Sequence, residues 1–303
     1  MKQLSDVFSN SRTSKVHQNL SIRNSKPLQA LFALIQSLTG FDALAYREST
    51  LSRRLELRLQ ATGCRSIQEY LNYVKTHPQE AINFKENLLI HVTRFFRDKP
   101  VFTYFERRLL PSWLDNLLAR DRRLVRVWSV GCSSGEEPFT LAMILHQPTR
   151  KRGLHPLILA TDVSPRILAR AREALFRQSE LRYVPRHYRQ LCFSEVKPGL
   201  FRLNPELRRY VIFRQHDLLQ EEPPGLFDLV VCRNLLIFFR PEVQEKLLKK
   251  LVQATAEGGF LILGRSERVK ADGSLELLSS RFSLYQKMEV LEKKRAFSRE
   301  AKR

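Results

Sequence analysis

The sequence predicts a small all-helical domain followed by an open α/β domain built on a mostly parallel sheet. Residues 26 to 97 carry apolar residues at helical spacing and show no strand pattern. From residue 125 onward, short apolar and β-branched runs alternate with amphipathic helical stretches, and the first run leads into a loop with two glycines. Two short strand patterns at 275–278 and 282–286 predict a final antiparallel pair.

The 303-residue chain has the composition of a globular protein, with 43% hydrophobic and 27% charged residues. Its net charge of +21 predicts attraction to an anionic partner, which can be nucleic acid, a membrane surface or an acidic protein face. Charge alone does not choose among these three.

The four cysteines lie far apart without a Cys-x-x-Cys pair; they are Cys64, Cys132, Cys192 and Cys232. This spacing argues against a zinc site or a disulfide framework, so no metal is expected, and it fits a reducing compartment.

Residues 1–25 are polar, and we expect a disordered leader without a signal peptide. The apolar run from Leu28 to Leu38 is far shorter than the roughly 20 residues of a membrane span, so we expect no membrane insertion and a cytoplasmic location.

Four helices are predicted in the first domain. The first begins at Pro27 and ends at Gly40, the third follows Ser66, and the fourth covers Ala81 to Ile90. The second has apolar residues at i, i+4 and i+8, which are Leu51, Leu55 and Leu59. Its other faces carry Arg53, Arg54 and Arg58, which form either a solvated surface or a docking surface for an acidic partner.

The segment from His91 to Pro100 closes the helical domain. Asp98 supplies an N-cap and Pro100 a first-turn proline for the next helix, which continues through Phe105 to Leu110. The residues alone favour a structural role for Phe95 and Phe96 as a wedge between the two domains, with the flanking arginines in water.

The stretch from Val125 to Thr140 predicts a strand, a loop and a helix. Gly131 and Gly135 lie in the loop, which is either a cofactor loop at the carboxyl end of a strand or an ordinary turn. Glu137 also has two interpretations: it completes a capping box with Ser134, or its carboxylate reaches into a cofactor site.

Polar residues follow three later strand patterns. The run Leu157 to Asp162 ends in a carboxylate about 30 residues past the glycine loop, where it can bind ribose hydroxyls or cap the helix that begins at Ser164. The runs Val211 to Asp217 and Phe227 to Asn234 end in Asp217 and in Arg233 with Asn234. Because ligands of open α/β sheets bind at the carboxyl ends of the strands, we expect these groups to meet at one site.

The remaining stretches predict an insertion and a second sheet half. Between the strand patterns, Pro198-Gly199 lies between two short alternating segments and predicts an inserted hairpin. A long helix begins at Pro241, Gly258-Gly259 end it, and Phe260 to Leu263 form a fifth strand. The charged residues beyond Met288 predict a frayed helix or linker.

Strand–helix alternation with a final hairpin is typical of a class I methyltransferase sheet, across which S-adenosylmethionine lies. The chain lacks the Gly-Lys-Ser/Thr of a P-loop and the three-glycine fingerprint of NAD binding.

Several uncommon motifs resemble those of the chemotaxis receptor glutamate O-methyltransferases, the CheR family. They occur in the family's order and spacing over residues 26 to 287, and they are Thr93-Arg-Phe-Phe-Arg-Asp98, Trp128-Ser-x-x-x-Ser-Ser-Gly-Glu-Glu-Pro138, Ala160-Thr-Asp162 and Phe227-Asp-x-x-x-Cys-Arg-Asn234-x-x-Ile237. The resemblance implies a Rossmann-like class I SAM-dependent methyltransferase sheet with an inserted small antiparallel β-subdomain, preceded by a small all-α N-terminal domain. The implied bounds are 26–97 for the helical domain, 98–287 for the methyltransferase domain, about 189–210 for the insertion and 288–303 for the tail.

The resemblance also implies an activity and a set of site residues. The activity is protein-glutamate O-methyltransferase, which forms γ-methyl esters on cytoplasmic helices of chemotaxis receptors and so serves sensory adaptation. The cofactor contacts carried over by motif are His91, Thr93, Arg97, Glu137, Asp162, Asp217, Leu218, Arg233 and Asn234. Arg97 is implied to hold the substrate carboxylate near the methyl group. The resemblance also favours the docking-surface interpretation of Arg53, Arg54 and Arg58, with glutamate-rich receptor helices as the partner.

The chain departs from the family pattern at four places. His91 and Asp217 stand where Asn is common, and Phe238 stands where Tyr is common. The loop from Glu195 to Gly199 is short, which predicts receptor recognition without a tether peptide. We expect a monomer that binds no nucleic acid.

Two other functions fit the residues. An RNA methyltransferase would explain the positive charge, although the basic residues are spread along the chain. A non-catalytic SAM-binding scaffold would explain the departures at His91 and Phe238.

Overall fold

The computed structural model describes residues 25–269 and 273–289. The predicted leader over residues 1–25 and the tail over 288–303 therefore lie almost wholly outside the described residues. The chain divides into two compact units, Met1–Ile90 and His91–Arg303. This division falls before the His91–Asp98 segment, earlier than the boundary expected at residue 97.

The described residues of the first unit form helices joined by short loops. Its helices are α1 Lys26–Thr39, α2 Glu48–Thr62, α3 Ile67–Thr76 and α4 Gln79–Leu88, with one 3₁₀ turn at Ala43–Ala45. Gly40 ends α1 in the left-handed region at φ +66°, and the Ser66 hydroxyl accepts the Glu69 N–H at the start of α3, as the sequence predicts. The apolar stripes of the four helices pack together, with Ile35, Tyr70 and Phe84 fully buried.

The second unit contains a seven-stranded sheet and a separate three-stranded sheet. The strands of the large sheet are β1 Leu124–Val130, β2 His155–Asp162, β6 Val211–Gln215, β7 Phe227–Cys232, β8 Thr255–Leu263, β9 Leu275–Ser279 and β10 Leu284–Lys287. Those of the small sheet are β3 Leu175–Arg177, β4 Phe193–Lys197 and β5 Leu200–Leu203. The helices are α5 Lys99–Tyr104, α6 Leu110–Ala119, α7 Glu136–Arg150, α8 Pro165–Glu173, α9 Arg186–Cys192, α10 Pro205–Arg209 and α11 Pro241–Ala254, with a π-helical stretch at Phe105–Leu109.

The large sheet has the order β6-β2-β1-β7-β8-β10-β9. Its first five strands run parallel, and β10 pairs antiparallel with both β8 and β9. The strand order reverses direction at β1, since β2 lies on one side of it and β7 on the other. Such a switch point is where open α/β sheets bind their ligands, at the carboxyl ends of the strands. The sheet therefore places the loops after β1 and β7 side by side.

The small sheet has the order β3-β5-β4 and is antiparallel. The predicted hairpin around Pro198-Gly199 is β4 and β5, with Gly199 at φ +73°. The third strand, β3, lies outside the expected bounds of 189–210, because three residues are too few for a periodic pattern.

The end of α11 differs from its prediction. Gly258-Gly259 lie inside β8 rather than at the end of α11, because β8 begins at Thr255, directly after the helix. A Cβ on Gly259 would lie 2.8 Å from the Asp228 carbonyl oxygen, so close backbone approach explains this glycine. The Phe95 ring contacts Phe176 and Phe193, and the Phe96 ring contacts Phe102 and Tyr188, all within the second unit.

No helix among residues 25–269 and 273–289 has the length and apolar character needed to cross a membrane.

Candidate functional site

The loop after β1 is held in a fixed shape by its glycines. Gly131 and Gly135 adopt φ +67° and φ +96°, which L side chains rarely adopt. A Cβ on Gly135 would lie 3.1 Å from the Phe139 ring and 3.3 Å from Ala171. This glycine is therefore required by its backbone conformation and by packing inside the protein.

Asp162, the last residue of β2, binds this loop. Its Oδ2 accepts the Ser133 N–H at 2.9 Å and its Oδ1 accepts the Ser164 N–H at 3.1 Å. Burial raises the pKa of the Asp162 carboxyl, whereas the two N–H groups and the nearby His91 oppose this shift. Asp162 thus joins the ends of β1 and β2, and helix α8 is capped by the Ser164 hydroxyl, which accepts the Ile167 N–H.

Glu137 does not form the capping box. The Ser134 hydroxyl donates to Glu136 at 2.7 Å, and Gly135 occupies the N-cap position of α7. The Glu137 carboxylate instead accepts the Ser129 hydroxyl at 2.9 Å and lies 3.5 Å from Arg233 Nη1. Burial raises the pKa of Glu137, and Arg233 acts against that shift.

Arg233 follows β7 and is the charged centre of this edge of the sheet. Only 2% of its side chain is exposed. Its Nη2 donates to Asp98 at 2.6 Å, and the guanidinium lies 5.0 Å from the centre of the Phe102 ring. Asp98 occupies the predicted N-cap position of α5, but its side chain makes no capping bond and binds Arg233 instead.

The loop after β7 is stabilised by Glu267, a residue that the sequence analysis missed. The Glu267 carboxylate is buried and accepts the N–H groups of Gly264 at 2.6 Å, Asn234 at 3.1 Å and Ile237 at 3.2 Å. It fixes Asn234 in the left-handed region at φ +58°. Glu267 follows the apolar run that became β8, so the signal that identified Asp162, a carboxylate after a strand, was also present here.

The segment before α5 contributes His91, Thr93 and Arg97, all half-buried. Arg97 Nη1 donates to the Val92 carbonyl at 2.7 Å. Burial lowers the pKa of the Arg97 guanidinium, Asp98 and Glu137 raise it, and Arg233 lowers it further. Arg97 directly precedes Asp98, which binds Arg233, so Arg97 lies beside the Arg233 network.

Asp217 and Leu218 lie in the loop after β6. The Asp217 carboxylate accepts the Leu219 N–H at 2.9 Å, and Leu218 is buried. The preceding His216, also missed, packs edge-on against Trp128 at 5.8 Å, and its Nδ1 lies 3.2 Å from Glu221. Burial lowers the pKa of His216 below 6.5.

Unsatisfied polar atoms are concentrated at this edge. Of eight buried side-chain N or O atoms without a hydrogen-bond partner among the described residues, five belong to His91, Ser133, His216, Arg233 and Asn234. Four of these residues, Ser133, His216, Arg233 and Asn234, lie in the loops that follow β1, β6 and β7. Buried polar groups nearly always find a partner in folded proteins, so this concentration fits a polar ligand bound across the strand ends.

Comparison with known proteins identifies the family. A model of the CheR methyltransferase all-alpha domain matches residues 26–89, and a model of the CheR methyltransferase SAM-binding domain matches residues 91–283. The chain belongs to the CheR methyltransferase family. This confirms the predicted family, the fold class, the methyltransferase activity and S-adenosylmethionine as the cofactor.

Curated relatives agree with this assignment. The chain is 26% identical to a chemotaxis protein methyltransferase of Borreliella burgdorferi over 89% of this chain and 97% of that protein. It is 33% identical to a chemotaxis protein methyltransferase of Listeria monocytogenes over 80% of this chain and 91% of that protein. It is also 33% identical to an uncharacterized 104.1 kDa protein of Rhodobacter capsulatus over 86% of this chain, and it spans 28% of that protein's length.

Among solved structures, the N-methyltransferase NodS of Bradyrhizobium japonicum with S-adenosyl-l-homocysteine is 18% identical to this chain. The match covers 52% of this chain and 61% of the NodS chain, with a TM-score of 0.29.

The arginines predicted to dock the substrate differ from one another. Arg53 is exposed and Arg54 is half-buried, with a pKa lowered by burial and by Arg53. The Arg58 guanidinium binds the buried Glu80 carboxylate through two bonds of 2.7 Å, and the Tyr70 hydroxyl donates to the same carboxylate at 2.6 Å. Arg58 therefore has a structural role inside the first unit.

Proposed function

We propose that the protein methylates glutamate side chains on cytoplasmic helices of chemotaxis receptors, forming γ-methyl esters. The observation that carries this proposal is the position of Arg97 in the SAM-binding domain, directly before Asp98, whose carboxylate accepts Arg233 Nη2 at 2.6 Å. Among its described contacts the guanidinium gives one hydrogen bond, to Val92. Its remaining donors can therefore take up a carboxylate, in the planar two-bond geometry that Arg forms with such groups.

The predicted cofactor residues fit S-adenosylmethionine through two kinds of group. The unpartnered Ser133 hydroxyl, Asn234 amide oxygen and His91 ring nitrogen can bind its polar groups. The half-buried Glu137 carboxylate and the buried Asp162 carboxylate add acceptors and negative charge beside a cationic ligand. When bound, S-adenosylmethionine supplies a methyl group attached to a positively charged sulfur.

The protein's own residues have little proton transfer to perform. A glutamate carboxylate, with a reference pKa of about 4.3, is already ionised at pH 7. Arg97 orients the carboxylate and does not remove a proton. Removal of water from the carboxylate and alignment with the methyl carbon then supply the rate acceleration.

Recognition of the receptor is proposed to be independent of a tether peptide. The β4–β5 turn is tight, with the Gly199 N–H donating to Glu195 at 2.8 Å. This short turn supports the proposal because it offers little backbone for holding a peptide. The protein is further proposed to be a cytoplasmic monomer, with Arg53 and Arg54 on α2 contributing to the docking surface.

The deciding experiment is transfer of a labelled methyl group from S-adenosylmethionine to a purified receptor cytoplasmic fragment. The expected product loses its label in mild alkali, because carboxyl methyl esters hydrolyse there. We expect Arg97→Lys to lower kcat by about a hundred-fold, because a small misplacement of the reacting group has this effect. Its S-adenosylhomocysteine affinity should fall much less.

Two results would contradict the proposal. Base-stable label on RNA, with none on the receptor fragment, would make the protein an RNA methyltransferase. Calorimetry without micromolar binding of S-adenosylmethionine would make it a non-catalytic scaffold. The exposed Arg209→Gln is the matched control and should retain wild-type transfer.

A further inference from the structure

A cavity of about 150 Å³ lies at the carboxyl ends of β7 and β8, on the side of Arg233 that faces β10. Its walls come from the start of α5, the loops after β7 and β8, and the β9–β10 turn. Its lining includes Asp98, Arg233, Leu263, Arg265, Arg281 and Phe282. The residues assigned to S-adenosylmethionine lie mainly at the ends of β1, β2, β6 and β7, so this cavity is a neighbouring compartment.

The charge around the cavity is unbalanced. Arg233 is already bound to Asp98 and lies within reach of Glu137. Arg265 and Arg281 are exposed, and among the described contacts neither has a carboxylate partner. The Arg281 guanidinium lies 5.4 Å from the centre of the Phe282 ring. This cation–π contact holds the guanidinium at the cavity wall. Two guanidiniums without counter-charges among the described residues thus lie at a cavity that already contains the buried Arg233.

Size and lining limit what can enter. Since a water molecule occupies about 30 Å³ in the liquid, 150 Å³ holds the equivalent of a few waters. Drug-sized and cofactor pockets are larger, about 300–1,000 Å³. Leu263 and Phe282 provide apolar surface beside the arginines, which suits a short methylene stem that carries an anionic head. Arg forks bind carboxylates through two parallel bonds.

We infer that this cavity receives a second carboxylate of the protein substrate, distinct from the one that is methylated. The inference rests on the proposed function, and it makes Arg265 and Arg281 specificity-determining residues. An acidic side chain near the target glutamate binds there and positions the receptor helix beside Arg97.

The test compares Arg265→Gln/Arg281→Gln with wild type and with the Arg209→Gln control. For transfer to the receptor fragment, we expect KM to rise by about ten-fold to a hundred-fold, as the loss of charged hydrogen bonds predicts. The kcat and the affinity for S-adenosylhomocysteine should stay within about two-fold of wild type, because neither arginine contacts the reacting groups. An unchanged KM, or equal losses in Arg209→Gln, would overturn the inference. Arg281→Lys, which keeps the charge, should recover part of the lost affinity.

A second arm identifies the occupant. Each acidic residue of the receptor fragment is changed in turn to Gln, and every fragment is assayed with both enzymes as a double-mutant cycle. One substitution should weaken binding to wild type and have no effect in the double variant. Equal effects of every substitution in both enzymes would contradict a carboxylate subsite.

A third arm does not depend on receptor methylation. Titration of the protein with glutarate and with inorganic phosphate, followed by NMR of the arginine side chains, should show binding of glutarate that the double variant loses. If phosphate binds equally well, the cavity is a general anion site and the inference fails. This arm still tests the cavity if the receptor fragment proves not to be a substrate, so the two proposals fail separately.

Discussion

The Arg233 guanidinium donates to the Asp98 carboxylate at 2.6 Å, and this bond joins the start of α5 to the loop after β7. The two partners differ in their surroundings, because 2% of the Arg233 side chain and 46% of the Asp98 side chain is exposed. Arg233 also faces Glu137 and the Phe102 ring. The arginine is therefore the centre of a buried network, and Asp98 is its link to the surface.

This difference predicts unequal effects of substituting the two partners. Arg233→Ala removes a buried cation and leaves the Glu137 carboxylate, 14% exposed, without its ion-pair partner, which should lower the free energy of unfolding by about 3–5 kcal/mol. Asp98→Asn removes a half-exposed partner and should lower it by less than about 1 kcal/mol. Urea unfolding measures both. Equal losses would show that the Asp98 bond, rather than burial of Glu137, makes Arg233 important.

Glu267 is expected to support the cofactor site without touching the cofactor. Glu267→Gln replaces a carboxylate oxygen by an NH₂ group that cannot accept from Gly264 or Asn234, so the free energy of unfolding should fall by about 1–3 kcal/mol. The affinity for S-adenosylhomocysteine should fall as well, because Asn234 loses its fixed conformation. Calorimetry on the variant measures this, with Glu276→Gln, on an exposed position of β9, as the control. An unchanged affinity would mean that the Asn234 loop keeps its shape without Glu267.

The elements of this fold were predictable where a local pattern determines them, whereas the side-chain partners at the strand ends were not predictable. Gly40, Ser66 and Pro165 mark helix ends because caps and prolines act within one turn. The partners of Glu137 and Asp98 were not predictable, because Arg233 is distant in sequence and reaches them only through the sheet order. The capping-box interpretation failed for this reason: a short-range pattern competed with a buried cation that the pattern cannot reveal.

Stability should depend on the protonation of His216. Burial lowers its pKa below 6.5, although Glu221 and Asp217 oppose the shift and Arg214 adds to it. The unfolded chain then binds a proton more readily than the folded one, so the contribution of neutral His216 is complete above pH 6.5 and is lost as the pH falls below that value. The melting temperature of wild type should therefore decrease more steeply between pH 6.5 and 5 than that of His216→Gln. Parallel curves would contradict this, and exposed His155→Gln is the control.

The thiols should differ in reactivity. Burial raises the pKa of Cys192 to about 11 and the pKa of Cys132 and Cys232 well above the ordinary value, so these three stay protonated at pH 8. Cys64 is half-buried. A disulfide reagent should therefore modify Cys64 first in the native protein and all four thiols in urea. Early modification of Cys192 would show that the small sheet and α9 open readily.

The three arginines of α2 should separate into a structural residue and a docking pair. Arg58→Ala leaves the Glu80 carboxylate, 4% exposed, without its cation, and should destabilise the first unit by about 3–5 kcal/mol. Arg53→Ala/Arg54→Ala removes two charges that make no ion pair among the described residues, so the stability should stay within about 0.5 kcal/mol of wild type. If these two residues dock the receptor, the double variant should raise KM for the receptor fragment, and the increase should shrink at high salt because exposed charges are screened. A KM that does not change at low salt would leave α2 with a structural role alone, and it would place recognition of the receptor in the second unit.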